Sequence, residues 1–127
     1  SGFKAEADRY HLYVALACPW AHRTVMMRRL KGLEAEIGLS VVDPILSEQG
    51  WQFSENPGAI PDRVNHAQYL QEIYRRARPN YTGRVTVPVL WDKETQTIVN
   101  NESREIIRML DTEFGAVAQT DLDLFPA

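Results

Sequence analysis

The sequence predicts an α/β domain, a four-stranded mixed sheet flanked by helices in the order β-α-β-α-β-β-α. Three observations predict it. An apolar run at 10–16 is followed by a proline-started helical segment and a second apolar run at 37–43, the pattern of two parallel strands joined by a crossover helix. Runs at 85–92 and 97–100 flank Lys93-Glu94-Thr95-Gln96, a hairpin turn, so those two strands are antiparallel. An amphipathic segment at 102–113 closes the order.

Each element has a local reason. Residues 10–16 (Tyr-His-Leu-Tyr-Val-Ala-Leu) alternate poorly, as a strand buried on both faces does. In the helix at 19–31, Pro19 suits the first helical position, and Trp20, Val25, Met26, Leu30 and Leu33 share a face. Arg28, Arg29 and Lys31 lie where the helix dipole favours cations, and Gly32 supplies the stop. The Met and Val stripe reads as core packing. Pro44 ends the strand at 37–43. Residues 44–64, with Pro44, Gly50, Pro57, Gly58 and Pro61, form a long irregular stretch, and such loops inside compact domains are often functional. Trp51 and Phe53 sit in it, and on the residues alone Trp51 is a loop anchor packed on the core.

Asn65 can cap a helix to about Ala77, with His66, Tyr69, Leu70, Ile73, Tyr74 and Ala77 in helical spacing. Arg75, Arg76 and Arg78 read as its solvated C-terminal turn. Residues 79–83 are a turn. Pro88 inside the run 85–92 conflicts with ordinary strand pairing. A cis Val87–Pro88 bond resolves the conflict, and a plain edge-strand proline is the alternative. Asn101 can cap the last helix, Ile106, Ile107, Leu110 and Phe114 form its apolar face, and Gly115 ends it. This is the thioredoxin-like order. Residues 1–115 make the domain, and 116–127 read as a linker toward a further part.

A chain of 127 residues with 44% hydrophobic and 24% charged residues suits one globular domain with a real core. A net charge of −3 carries no polyelectrolyte signature, so nucleic acid is not an expected partner. Nor is a membrane: no apolar run approaches the roughly 20 residues of a span, and no signal-peptide pattern opens the chain. The single cysteine excludes an intrachain disulfide and fits a reducing, cytoplasmic setting. His11, His22 and His66 are isolated, so no metal site is expected.

The chemistry centres on Ala17-Cys18-Pro19-Trp20-Ala21-His22-Arg23. Cys18 is either a small buried apolar residue or an activated thiol. Its place between a strand and a proline-started helix favours the second. The unpaired N–H groups of a first helical turn stabilise a thiolate, and such settings bring a cysteine pKa to about 3.5–7.5. In a dithiol redox site the fourth position of Cys18-Pro19-Trp20-Ala21 would be a second cysteine. Here it is Ala21, so a mixed disulfide on Cys18 must be resolved by an outside thiol. In a thioredoxin-like fold Val87, before Pro88, would offer its backbone N–H and C=O to an extended peptide. Glu102-Ser103 opens a helix, where free N–H groups attract a carboxylate and Glu102 accepts from an ammonium; a capped acidic first turn is the plainer reading. Together the three describe a glutathione site: thiol against Cys18, cysteinyl backbone along Val87, γ-glutamyl head at Glu102-Ser103.

At this point the sequence resembles the glutathionyl-hydroquinone reductases, the Xi-class glutathione transferases. The resemblance lies in Cys18-Pro19-Trp20-Ala21-His22-Arg23, Leu30-Lys31-Gly32-Leu33-Glu34, Gly50-Trp51-Gln52-Phe53, Val85 to Asp92 and Asn100-Asn101-Glu102-Ser103, across residues 9–114. It implies an enzyme that reduces glutathionyl-hydroquinones with glutathione as co-substrate and without a metal. Cys18 would be the catalytic nucleophile. Glutathione contacts would come from Trp51, Arg84, Val85, Thr86, Val87, Glu102 and Ser103, with Pro88 the structural cis-proline. It also implies an N-terminal extension, an all-helical C-terminal domain that supplies the hydroquinone-handling tyrosines, and a homodimer in the full-length protein. The chain departs from the family in Arg104, where members usually have a small residue. An Omega-type or glutaredoxin-like thiol transferase, or a non-catalytic glutathione-binding domain, are the alternatives. Glutathione disulfide at neutral pH should add one glutathione to Cys18, read by intact-mass spectrometry; no adduct would favour the non-catalytic alternative.

Overall fold

Strand β1 (Tyr10–Val14) is buried along its whole length, and its side chains divide strictly between the two faces of the sheet. Tyr10, Leu12 and Val14 enter one apolar cluster, and Tyr13 enters the other. The computed structural model describes residues 9–16, 19–34, 36–45, 48 and 50–112. The site expectation at Cys18 and the linker expectation at 116–127 therefore lie outside the described residues.

Helix α1 (Pro19–Leu30) follows, then β2 (Ile37–Val41), α2 (Leu70–Ala77), β3 (Val89–Asp92), β4 (Thr97–Asn100) and α3 (Ser103–Thr112). The sheet order is β2-β1-β3-β4. β1 pairs β2 in parallel, Tyr10 opposite Ile37 through Val14 opposite Val41. β3 runs antiparallel to β1 and to β4, with a register shift between Leu90 and Trp91 on the β4 side. Helices α1 and α3 pack together over the Leu12 face, through Met27, Ile106 and Leu110. Helix α2 covers the opposite face through Leu70, Ile73 and Tyr74, against Val89 and Trp91. Full burial of each such side chain contributes about 1.5–3 kcal/mol. This is the predicted mixed sheet.

Helix α1 stops as its sequence requires. Gly32 has a φ of 68°, and the N–H groups of Gly32 and Leu33 donate to the carbonyls of Arg29 and Arg28. That pair of bonds is a Schellman closure, and only glycine takes its left-handed position without strain. Arg28 then folds over the turn and donates to the carbonyls of Ile37 at 2.6 Å and Glu34 at 3.0 Å.

Strands β1 and β2 end two residues short of the expected limits, at Val14 and Val41, and α1 one residue short, at Leu30; three further boundaries differ for local reasons. The helix expected from Asn65 begins at Leu70. The segment before it is wound around the buried Asp62 carboxylate, which accepts the N–H groups of Val64, Asn65 and Ala67 and the Tyr13 hydroxyl. His66 has a φ of 55°, which no helix continues through, and the Asn65 side chain donates to the Tyr13 hydroxyl at 3.1 Å. The strand expected over 85–92 pairs only over Val89–Asp92, because Pro88 has no N–H for the ladder. The last helix starts at Ser103 and is capped by Glu102, whose carboxylate accepts the Arg104 N–H at 3.2 Å. Asn101, expected as that cap, turns its amide to Tyr74. The Val87–Pro88 bond is cis, as expected. Among the described residues no helix is long and apolar enough to cross a membrane, and no group of three His, Cys, Asp or Glu could hold a metal ion.

His11 sits on the α2 face, buried between β2 and the loop beyond it. The Ser40 hydroxyl donates to the Pro61 carbonyl at 3.1 Å, so it accepts from His11 Nε2 at 2.7 Å. Nδ1 lies over Gly38, where a Cβ would be 2.5 Å from it. Burial pushes the imidazole down to about 4; Asp62 pulls it up, while Lys93 and Arg28 add to the depression. The neutral ring is the folded form. Above the unfolded value of 6.5 both states are neutral and stability is full. As pH falls toward 4 the unfolded chain takes up the proton first, and stability falls by at most about 3 kcal/mol. Urea midpoints should therefore decline between pH 7 and 5, and His11→Gln should flatten that slope. Gly38→Ala should cost about 1–3 kcal/mol, seen as a lower midpoint at pH 7, because the pinned imidazole cannot move aside.

Candidate active site

Apart from Trp51, the residues expected to bind glutathione come from two segments that the sheet brings side by side. One is the extended stretch before β3, and the other is the start of α3. Between them lies a cleft of about 530 Å³ lined by Thr86, Val87 and Pro88 on one side and by Asn101, Glu102, Ser103 and Arg104 on the other. Ser103 is buried at the helix N-terminus, while Glu102 and Arg104 are exposed. The turn into α3 is closed by Asn100, whose Oδ1 accepts the Glu102 N–H at 2.7 Å and whose amide donates to Glu105.

Val87 has no main-chain partner among the described residues, whereas its neighbour Thr86 is fully engaged. The Tyr74 hydroxyl donates to the Thr86 carbonyl at 2.6 Å and accepts the Thr86 N–H at 3.2 Å. An extended peptide laid beside Val87 would meet a donor and an acceptor that no described residue occupies. The start of α3 lies across the cleft; of its first four N–H groups, those of Glu102 and Arg104 are taken by Asn100 and Glu102, and those of Ser103 and Glu105 are a setting for a carboxylate, with the Glu102 carboxylate beside them for a cation.

Five of the predicted residues therefore line one cleft: Thr86, Val87, Pro88, Glu102 and Ser103. Trp51, Arg84 and Val85 do not line it. Arg84 is exposed, and its carbonyl accepts the Tyr81 hydroxyl. Val85 and half-buried Trp51 pack on the α2-side cluster. The Trp51 carbonyl accepts the Leu70 N–H at 2.9 Å, which docks the loop on the start of α2. Asp43 holds the base of that loop. Its carboxylate accepts the Ile45 N–H at 2.9 Å, the Ser54 hydroxyl at 2.7 Å and the Asn56 amide at 2.8 Å, and these bonds keep it below the usual carboxylate range. Sequence reasoning missed Asn101 and Arg104 as cleft residues. Asn101 stands directly before the Glu-Ser pair, and that adjacency was the available signal.

Arg104 also lines a second, apolar groove of about 560 Å³ between α1 and α3, with Met26, Leu30 and Ile107 among its walls. Met26 is 50% exposed and Leu30 46%, high values for such residues.

The glutathione S-transferase N-terminal domain profile matches residues 17–113. The chain belongs to the glutathione S-transferase family, as an N-terminal, thioredoxin-like domain. Its similarity is to one branch of that family. It is 57% identical over 126 residues to the glutathionyl-hydroquinone reductase YqjG of Escherichia coli K12, covering 98% of this chain and 38% of that protein. It superposes on the Xi-class transferase of Natrialba magadii with a TM-score of 0.96 at 59% identity, covering 99% of this chain and 40% of that one. The glutathione-bound structure of Escherichia coli YqjG gives a TM-score of 0.93 at 57% identity, over 99% of this chain and 41% of that one. Within the family, then, the chain falls with the glutathionyl-hydroquinone reductases, the Xi class. It spans about two fifths of the length of these relatives.

Proposed function

We propose that this chain is the glutathione-binding part of an enzyme that reduces glutathionyl-hydroquinones through a single thiol. The observation that best supports it is the cleft in which the Val87 main chain, without a partner among the described residues, lies opposite the Glu102-Ser103 helix start. A cysteinyl backbone fits the first and a γ-glutamyl head, with one carboxylate and one ammonium, fits the second. Ser103 and the α3 N–H groups hold the carboxylate, and Glu102 takes the ammonium. Trp51, Arg84 and Val85, outside the lining of this cleft, are the remaining glutathione contacts of this reading.

The thiolate of Cys18, one residue before the start of α1, attacks the glutathione sulfur of the substrate. An S–S bond forms, the carbon–sulfur bond breaks, and its electron pair leaves on the ring carbon, which takes a proton to give the hydroquinone. A second glutathione, as thiolate, attacks the mixed disulfide, releases oxidised glutathione and restores the Cys18 thiolate. Ala21 in place of a second cysteine makes that outside thiol necessary. The cycle needs a reduced glutathione pool, as in cytoplasm.

Residues 1–115 form this domain, and 116–127 lead toward a helical domain that completes the hydroquinone pocket in a homodimer. The exposed Met26 and Leu30 on the α1–α3 groove suit a face covered by such a domain. In the full-length protein, Cys18→Ala should lower glutathione-dependent reduction of a glutathionyl-hydroquinone by roughly 10³-fold or more. Retained activity would sink the assignment. Turnover of small mixed disulfides without turnover of glutathionyl-hydroquinones would move the enzyme to a general thiol-transferase class.

A further inference from the structure

Tyr74 does not line the cleft, yet its hydroxyl touches both walls. It donates to the Thr86 carbonyl at 2.6 Å, accepts the Thr86 N–H at 3.2 Å, and accepts the Asn101 side-chain amide at 3.3 Å. The Thr86 hydroxyl lies near it as well, at 3.4 Å, so every partner of the Tyr74 hydroxyl among the described residues belongs to Thr86 or Asn101. The residue is 3% exposed and its ring lies 5.1 Å from the Tyr81 ring at a tilt of 37°, so the oxygen is held in place by packing.

We propose that Tyr74 is a positioning residue for the ligand of this cleft, acting through Thr86 and Asn101; the proposal rests on the glutathione reading of the cleft. In an extended segment the main-chain N–H and C=O of consecutive residues point to opposite edges. With both groups of Thr86 turned to Tyr74, both groups of Val87 face the other way. Tyr74 thereby decides which residue offers its backbone pair to a bound peptide. The same oxygen holds Asn101, the residue before Glu102-Ser103, and so fixes the distance between the two walls. The aromatic ring is needed for the core; the hydroxyl has work only toward the cleft.

The test is Tyr74→Phe in the full-length protein, which keeps the ring and removes the oxygen. Calorimetry should show the glutathione Kd raised about 5- to 20-fold, the range expected for losing one or two ordinary hydrogen bonds. KM for glutathione should rise with it, while kcat at saturating glutathione stays within about 2-fold. Asn101→Ala removes one arm and should weaken binding less. Combined with Tyr74→Phe it should give less than the product of the separate effects, because both act through one oxygen. A Tyr74→Phe protein with a lowered Tm but an unchanged glutathione Kd would overturn the proposal and leave a purely structural hydroxyl. If Tyr74→Phe does not fold, an unchanged Kd in Asn101→Ala overturns it instead. Wild-type protein that binds no glutathione overturns the reading of the cleft, and the positioning role with it.

Discussion

The whole architecture depends on one strand being enclosed. β1 is hydrogen-bonded on both edges, to β2 in parallel and β3 antiparallel, and covered on both faces. Its alternation sends Leu12 to one core and Tyr13 to the other, so a single five-residue strand joins two apolar clusters into one domain. The β2-side crossover must carry a helix because the pair is parallel, which puts α1 directly after β1. The antiparallel β3 on the other edge brings the stretch before it alongside the start of α3. The cleft is thus a product of strand order rather than of any local motif.

The irregular stretches are held by buried or half-buried aspartates, each gathering several donors. Asp43 closes the base of the Trp51 loop, Asp62 winds the segment before α2, and Asp92 ties Arg9, ahead of β1, to the turn between β3 and β4. At Asp92, burial alone would raise the carboxyl. The two-pronged Arg9 guanidinium, at 2.9 and 2.8 Å, and the N–H groups of Glu94 and Thr95 outweigh it and hold it near 2. In each case a charged acceptor supplies the bonds that a ladder or helix would otherwise provide, which lets loops pack closely on the sheet.

The strands and the amphipathic helices α2 and α3 were legible in the sequence because apolar period and glycine or proline stops are local properties. So were the order of elements and the cis proline conflict at Val87–Pro88. The start of α2 was not legible. Asn65 carries the chemistry of a cap, and only the fold shows that Asp62 and Tyr13 compete for it. Motif order in a known strand arrangement made Val87-Pro88 opposite Glu102-Ser103 legible, while Thr86 entered only through the family resemblance. Tyr74 was read as one more core residue of α2, which its ring is. Its hydroxyl acts through partners 12 and 27 positions away, and no periodicity reports such distances. Trp51 shows the converse: the residue-level reading as a packed loop anchor matches its place on the α2-side cluster.

The sheet also has two rims, and they are not alike. On the β2 side, Val41 exchanges both main-chain bonds with Ile60, so a piece of the long loop lies over the outer end of that strand. The β4 side has four residues, half-buried, and a register shift against β3. A short, irregular border offers little template for a strand from another molecule. The loop that carries Trp51 toward α2 therefore also shields the sheet from edge-to-edge association, and lengthening β4 or freeing Ile60 would be the changes that invite it.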